Sequence, residues 1–157
     1  MKQKLVLPIG MGWIYIMMTP SDYNRVKIGM TINNPRNRLR ELKTGDPYLA
    51  LVAAYFMPNG FGQSLKSIED DIHNCFDSIR IHFLEDEDQV KVRSEWFSLE
   101  ATDSQWAVDD AFRSIGFEIG SPSNNYEIKP NTVAKYYESD LVYESCSIAL
   151  SFNNQQW

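Results

Sequence analysis

The sequence is poor in cysteine and histidine, with two of each among its 157 residues. Cys75 and Cys146 lie far apart in the chain, and the sequence has no cysteine pair with the spacing of a zinc site. A disulfide between them stays open, but we expect two free thiols in a reducing compartment. The composition therefore excludes a disulfide-dense scaffold and a cysteine-ligated zinc domain.

Long apolar runs are also missing, since no stretch approaches the roughly 20 residues that a membrane-spanning helix needs. Near the N-terminus the apolar run is interrupted by Pro8, Gly10 and Gly12, and no small-residue cleavage site follows it. We therefore expect neither a signal peptide nor a membrane anchor, and we expect a cytoplasmic protein. The length suffices to bury a hydrophobic core without disulfides or metal.

Positive charge is scarce overall, with a formal net charge of −6, but it is unevenly distributed. Residues 1–66 carry nine Lys or Arg against three Asp or Glu, whereas residues 67–157 carry six against eighteen. A basic N-terminal part inside an acidic protein indicates a local anionic partner. Chance clustering of the charges remains the alternative.

The apolar patterns predict alternating strands and helices. Two β-branched and aromatic runs joined by the turn residues TPSDYN predict a hairpin, and capping residues with helical spacing predict three helices. The predicted elements are strands at 13–18, 26–30, 49–57 and 94–99, and helices from Asn34 to Gly45, from Ser64 or Ser67 to about Arg80, and over about 102–115. This order predicts a small mixed α/β sheet.

The segment after residue 118 is a separate part of this prediction. We expect a first domain over residues 1–118, a linker beginning near residue 120, and an extension over 119–157. The extension is too apolar to be disordered. It is expected to pack on the core or on a partner, and the acidic C-terminal half as a whole is a candidate surface for a protein partner.

Five short motifs occur in a fixed order: GWIY at 12–15, KIGMT at 27–31, Arg38 in RNRLREL, Glu69 in IEDDIH, and EWF at 95–97. In this order and spacing the chain resembles the GIY-YIG nuclease superfamily over about residues 10–115. The nearest branch is the phage and bacterial one whose second motif reads KIG followed by Thr. The resemblance implies an α+β fold, with a small and mostly antiparallel sheet flanked by helices.

The resemblance also implies hydrolysis of DNA phosphodiester bonds with one divalent metal ion, Mg²⁺ or Mn²⁺. It places Tyr15 at the first-motif tyrosine, Gly29 at the second-motif glycine, Arg38 at the arginine and Glu69 at the metal-binding glutamate. The sequence departs from the pattern at two positions. Lys27 stands where many relatives have a second tyrosine. Leu42 stands one turn after the arginine, where many have His or Tyr, which leaves the general base open.

Phosphodiester cleavage needs an oriented or deprotonated water, stabilisation of the phosphate charge and a held strand. Glu69 is predicted at the border of the apolar face of its helix, where its carboxylate could hold Mg²⁺, with Asp70 and Asp71 pointing to solvent. The alternative is an acidic helix start that favours the helix dipole. His73, one turn later, is a candidate to hold the metal-binding carboxylate in place, to act as an acid or base, or to serve as a second ligand. The alternative is a histidine that merely borders the apolar face.

Tyr15 and Lys27 are expected on neighbouring strands, facing one cleft. The phenol would orient water or act as a base, with its pKa lowered by the metal and by Lys27. Lys27 is a candidate catalytic residue, as a phosphate contact or as the activator of the phenol. The alternative for Lys27 is a strand lysine that reaches for water.

Four basic residues fall on the helix that begins at Asn34. Arg38 is predicted on one flank of the apolar face, where a bidentate contact could stabilise phosphate charge. Arg36, Arg40 and Lys43 share another face and are predicted to bind the DNA backbone. A plain solvated helix face is the alternative for these three.

Three functions remain open at this point. A metal-dependent DNA endonuclease accounts for all of the motifs. A nuclease fold reused as a binding module, acting as an acidic regulator or inhibitor, accounts for the acidic C-terminal half. A ligand-binding α/β domain unrelated to nucleic acid accounts for the strands alone. The oligomeric state does not follow from the sequence.

Overall fold

The computed structural model describes residues 12–57, 63–84, 91–120 and 132–137. Within these ranges the elements are β1 Gly12–Thr19, β2 Asp22–Thr31, α1 Pro35–Leu42, β3 Ala50–Met57, α2 Leu65–Cys75, β4 Arg80–Leu84, β5 Lys91–Phe97, α3 Ala101–Ser114, β6 Glu118–Gly120 and β7 Thr132–Tyr137.

The seven strands form one sheet in the order β4-β5-β2-β1-β3-β7-β6, accompanied by the three helices. All neighbours pair antiparallel except β6 and β7. The predicted fold class, a mostly antiparallel α+β sheet flanked by helices, is confirmed.

The predicted hairpin is present as β1 and β2, with a tighter turn than expected. Thr19 pairs with Asp22, so the chain reverses over residues 20 and 21 alone. In the regular part of the ladder Tyr15 lies opposite Gly29 and Met17 lies opposite Lys27. Directly opposed residues project from the same side of a sheet, so Tyr15 and Lys27 do face the same way.

The two sides of the sheet carry separate apolar clusters. Ile14, Ile16 and Ile28 belong to a cluster shared with α2 and α3. Tyr15 and Met17 belong to the other cluster, which contains Leu39 of α1. This division follows from the two-residue period of a strand. It places Tyr15 on the α1 side of the sheet, while α2 packs on the opposite side.

Capping fixes where the helices begin. Asn34 accepts the backbone N–H of Arg36 at 2.9 Å, ahead of Pro35 at the first helical position, as the sequence predicts. Ser64 caps α2 by accepting the N–H of Ser67 at 3.1 Å. Both caps orient helices that carry candidate site residues.

The second helix is shorter than predicted. It ends at Cys75, a short 3₁₀ turn follows, and strand β4 begins at Arg80. Ile79 fits the helical spacing by coincidence, because the residues after it pair with β5. Cys75 itself is an exposed free thiol, and Cys146 lies outside the described residues.

Part of the C-terminal extension belongs to the same sheet. Strand β7 pairs with β3 on one side and with β6 on the other. The predicted linker begins at residue 120, which is the last residue of β6. The rest of the linker and extension lies outside the described residues, except for β7.

A polar network attaches β7 to α3. The Lys135 side chain is 9% exposed, and its ammonium donates to both oxygens of Asp109, at 2.8 and 3.1 Å. The Tyr55 hydroxyl donates to the same carboxylate at 2.7 Å. A buried ion pair holds one arrangement of its partners because either charge alone is costly. The network therefore fixes β7 against both α3 and β3.

We predict that Lys135→Met lowers the free energy of unfolding by about 3 kcal/mol, because it leaves the Asp109 carboxylate without its cation. Urea unfolding measures this loss. Lys135→Met combined with Asp109→Asn should recover part of it, since the amide oxygen still accepts from Tyr55. A double variant no more stable than the single one would contradict this account.

Candidate active site

The Tyr15 ring lies directly across the backbone of Gly29. A Cβ atom placed on Gly29 would lie 2.6 Å from Tyr15 Cζ and would also overlap the hydroxyl oxygen. Such approaches are closer than real Cβ contacts allow, so any side chain at position 29 would displace the ring. Gly29 therefore lets the Tyr15 hydroxyl pass over β2.

Arg38 of α1 meets this hydroxyl. The guanidinium donates to Glu41 at 3.1 Å and lies close enough to the Tyr15 hydroxyl for the two groups to shift each other's pKa. The interactions with Tyr15 and Glu41 raise the pKa of Arg38 above its ordinary value. The guanidinium is therefore positive throughout the accessible pH range, and it is half-buried beside Tyr15.

The environment of Tyr15 corrects one expectation. Burial is the main cause that raises the pKa of Tyr15 above 10, with Glu95 and Glu69 raising it further while Arg38 opposes them. The Lys27 ammonium is held by Glu95 at 3.0 Å, and the Tyr15 pKa moves upward, opposite to the direction expected from Lys27. In the surroundings that the structure describes, Tyr15 is thus a neutral phenol at physiological pH.

Glu69 of α2 is more buried than expected. Its side chain is 2% exposed instead of half in solvent, and its carboxylate accepts from the Lys66 ammonium at 2.8 Å. The bordering position predicted from the helical wheel places Glu69 against the sheet, because β2 passes beside that flank of α2. A buried carboxylate must be paired, so the bond to Lys66 belongs to the site.

His73 is also buried and is anchored to the sheet. Its Nε2 donates to the carbonyl oxygen of Ile28 at 2.7 Å, and its ring lies 5.2 Å from that of Phe97. A carbonyl only accepts, so Nε2 carries the proton in the neutral ring. The remaining nitrogen, Nδ1, is therefore the one that could accept a proton or bind a cation.

The edge of β2 explains how groups from both sides of the sheet converge. Within the described residues, strand β5 pairs with β2 at Val26 and Lys27 only. The carbonyl of the next residue, Ile28, takes its bond from His73 on α2. Tyr15 reaches the following residue, Gly29, from the α1 side. Burial is the main cause of the raised Tyr15 pKa. The Glu69 carboxylate adds to it from the α2 side of the sheet.

Three side chains of α2 provide a donor set for a cation. One ligand atom each of Glu69, Asp70 and His73 lie within 4.8 Å of one another. Asp70 is exposed, as predicted, but it belongs to this group. Carboxylate oxygens with one imidazole nitrogen suit Mg²⁺ and, with the nitrogen, Mn²⁺. The residues present therefore fit a divalent cation.

The predicted DNA-binding residues of α1 have no acidic partner within the ranges that the structure describes. Arg40 and Lys43 are exposed and Arg36 is half-buried. The one side-chain bond among the three is a long one, 3.4 Å, from Arg40 to Asn37. These cations remain available to an anion beside Arg38.

Residues 12–116 match the family model described as the T5orf172 domain. The chain belongs to the T5orf172 domain family. This membership is compatible with DNA association and a nuclease-type role. No curated protein and no solved structure matches the chain. Among the helices that the structure describes, none is long and apolar enough to span a membrane.

Two residues of the candidate site in this T5orf172 domain, Lys66 and Glu95, were not predicted from the sequence. Lys66 lies three residues before Glu69, a spacing that places ion pairs on one helix face and that could have indicated the contact. Glu95 lies within the EWF motif, and no sequence pattern gives it a role of its own. Its bond to Lys27 depends on how β5 pairs with β2, which no local pattern encodes.

We predict that Tyr15 ionises later in the folded T5orf172 domain than in the unfolded chain. Because burial raises its pKa, the neutral phenol stabilises the fold below about pH 10, and this contribution is lost as the pH rises further. Phenolate absorbance, taken as the difference between wild type and Tyr15→Phe, measures the shift, with the chain in denaturant as control. A midpoint at or below that of the denatured chain would contradict the burial argument.

Proposed function

We propose that this T5orf172 domain is a metal-dependent endonuclease of the GIY-YIG type that hydrolyses DNA phosphodiester bonds. The observation that carries the proposal is that Arg38 meets the Tyr15 hydroxyl where that side chain crosses Gly29, with Glu69 in electrostatic reach. These four residues come from four different elements. They are the same four that the sequence resemblance singles out, which separate structural roles would not require.

Arg38 supplies positive charge for the phosphate. Its planar guanidinium can bind two phosphate oxygens at once, and its raised pKa keeps it charged as negative charge develops. Tyr15 lies beside Arg38 and, as a neutral phenol, keeps its O–H as a donor. A neutral phenol in this position orients a water or a phosphate oxygen rather than removing a proton.

The divalent cation would be held by Glu69, with Asp70 and His73 as the neighbouring donors. When bound, it would lower the pKa of a coordinated water and neutralise charge on the phosphate. The Nδ1 of His73 can serve in one of two roles, because its Nε2 is fixed on Ile28. Where Glu69 and Asp70 alone hold the cation, Nδ1 is free to take a proton. Since Leu42 offers no base, His73 is the protein base that we assign in that arrangement.

The basic residues of α1 would hold the DNA backbone. Arg36, Arg40 and Lys43 lie on the helix that positions Arg38, so a backbone bound there would lead toward the site. The net charge of −6 disfavours non-specific adhesion to DNA. Binding would then depend on this local cluster.

We predict that the protein converts supercoiled plasmid to nicked or linear forms in the presence of Mg²⁺ or Mn²⁺. Glu69→Gln and Arg38→Met should each lower the rate by about a hundredfold or more, since each removes charge that the transition state needs. Gel electrophoresis of the plasmid follows the reaction. Circular dichroism must show that both variants fold.

The control is Arg113→Met on α3, which removes an exposed arginine paired with Asp110 at 2.9 Å. It should leave cleavage unchanged. Cleavage that survives in both site variants would mean a contaminating nuclease. DNA binding without cleavage at any metal concentration would favour the alternative, a nuclease fold used as a binding module.

DNA affinity without metal tests the α1 cluster separately. The triple change of Arg36, Arg40 and Lys43 to Gln should weaken duplex binding at least about tenfold and lower the salt slope by about three, because about one counterion is released per phosphate contact. Fluorescence anisotropy in EDTA over a range of salt concentrations measures both. If Arg113→Gln weakens binding as much as the triple change, the α1 cluster has no special role.

A further inference from the structure

Lys66 occupies the position between the two carboxylates of the candidate cation site. Its Nζ lies 2.8 Å from an oxygen of Glu69 and 3.0 Å from an oxygen of Asp70. Glu69 is almost completely buried, whereas the Lys66 side chain is 61% exposed. The ammonium thus reaches in from solvent to neutralise a carboxylate that the sheet and helix hold in place.

An ammonium and a divalent cation need the same oxygen atoms. Both are positive, and the carboxylate oxygens that face Lys66 belong to two of the three candidate cation ligands. We propose that Lys66 is the resident cation of this site and that a divalent cation binds there by displacing it. Lys66 then determines the metal affinity of the site, an inference that rests on the metal-dependent function proposed above.

The position of Lys66 on α2 favours its release. Lys66 lies in the first turn of the helix, where the free N–H groups form the positive end of the helix dipole. The dipole therefore does not stabilise a cation there. Its attraction to the site therefore comes from Glu69 and Asp70 rather than from the helix. A long, exposed and well-hydrated side chain can return to water, whereas buried Glu69 has no such freedom.

Calorimetric titration of the full chain with Mn²⁺ tests the proposal without any activity assay. Lys66→Met should bind Mn²⁺ about tenfold more tightly than wild type, because the competing charged hydrogen bonds are gone. Lys66→Arg keeps the competing cation and should stay near wild type. The matched control is Arg113→Met. It also removes the cation of an i,i+3 helix pair, but the carboxylate of that pair, on Asp110, is exposed.

Thermal unfolding gives a second readout. Without metal, Lys66→Met should melt several degrees below wild type, since Glu69 loses its partner, and added Mn²⁺ should raise its melting temperature more than that of wild type. Unchanged Mn²⁺ affinity in Lys66→Met, with binding still lost in Glu69→Gln, would overturn the role of Lys66 alone. Absence of Mn²⁺ binding in every variant would overturn the metal-dependent function together with it.

Discussion

The short pairing between β2 and β5 is the constraint on which the rest of the site depends. Because it ends at Lys27, the Ile28 carbonyl needs a donor from outside the ladder, and His73 provides it. That bond fixes α2 against the edge of β2, and buried Glu69 lies one turn before His73 on the same helix. If β5 continued along this edge, a backbone N–H of β5 would bond the Ile28 carbonyl, and His73 would have no acceptor there. The site is thus built where regular pairing stops.

The second organising feature is that the buried or half-buried charges of the site are paired within the described residues. Lys66 neutralises Glu69, and Lys27 is held by Glu95. Burial of a charge is costly unless a partner is close, so these pairs keep a polar site compatible with a tightly packed sheet. Arg36, Arg40 and Lys43 have no such acidic partner in the described ranges. The contrast separates the internal charges, which balance one another, from surface cations that are available to a phosphate backbone.

The local features were predictable from sequence because their physical causes are local. The Asn34 cap, the hairpin and the position of Arg38 follow from turn chemistry and periodicity, and the structure has all three. The burial of Glu69 was not predictable, since a helical wheel gives a direction but not what lies in that direction. The raised pKa of Tyr15 was missed for the same reason, because burial by the packed α1 side outweighs the nearby cation. Strand β4 was missed because the helical spacing of apolar residues continues by coincidence to Ile79, directly before the strand begins at Arg80.

The raised pKa of Tyr15 and the pairing of Lys66 are consistent with each other. The carboxylates Glu95 and Glu69 both disfavour a phenolate, and Lys66 compensates only Glu69 and Asp70. An ammonium carries one positive charge where a divalent cation would carry two, so exchanging one for the other makes the surroundings of the phenol more positive. Under the proposed exchange, the protonation of Tyr15 and the occupant of the carboxylate group would therefore be linked across the β2 edge. With Lys66 in place Tyr15 is neutral, and a divalent cation in its stead would lower the pKa of the phenol.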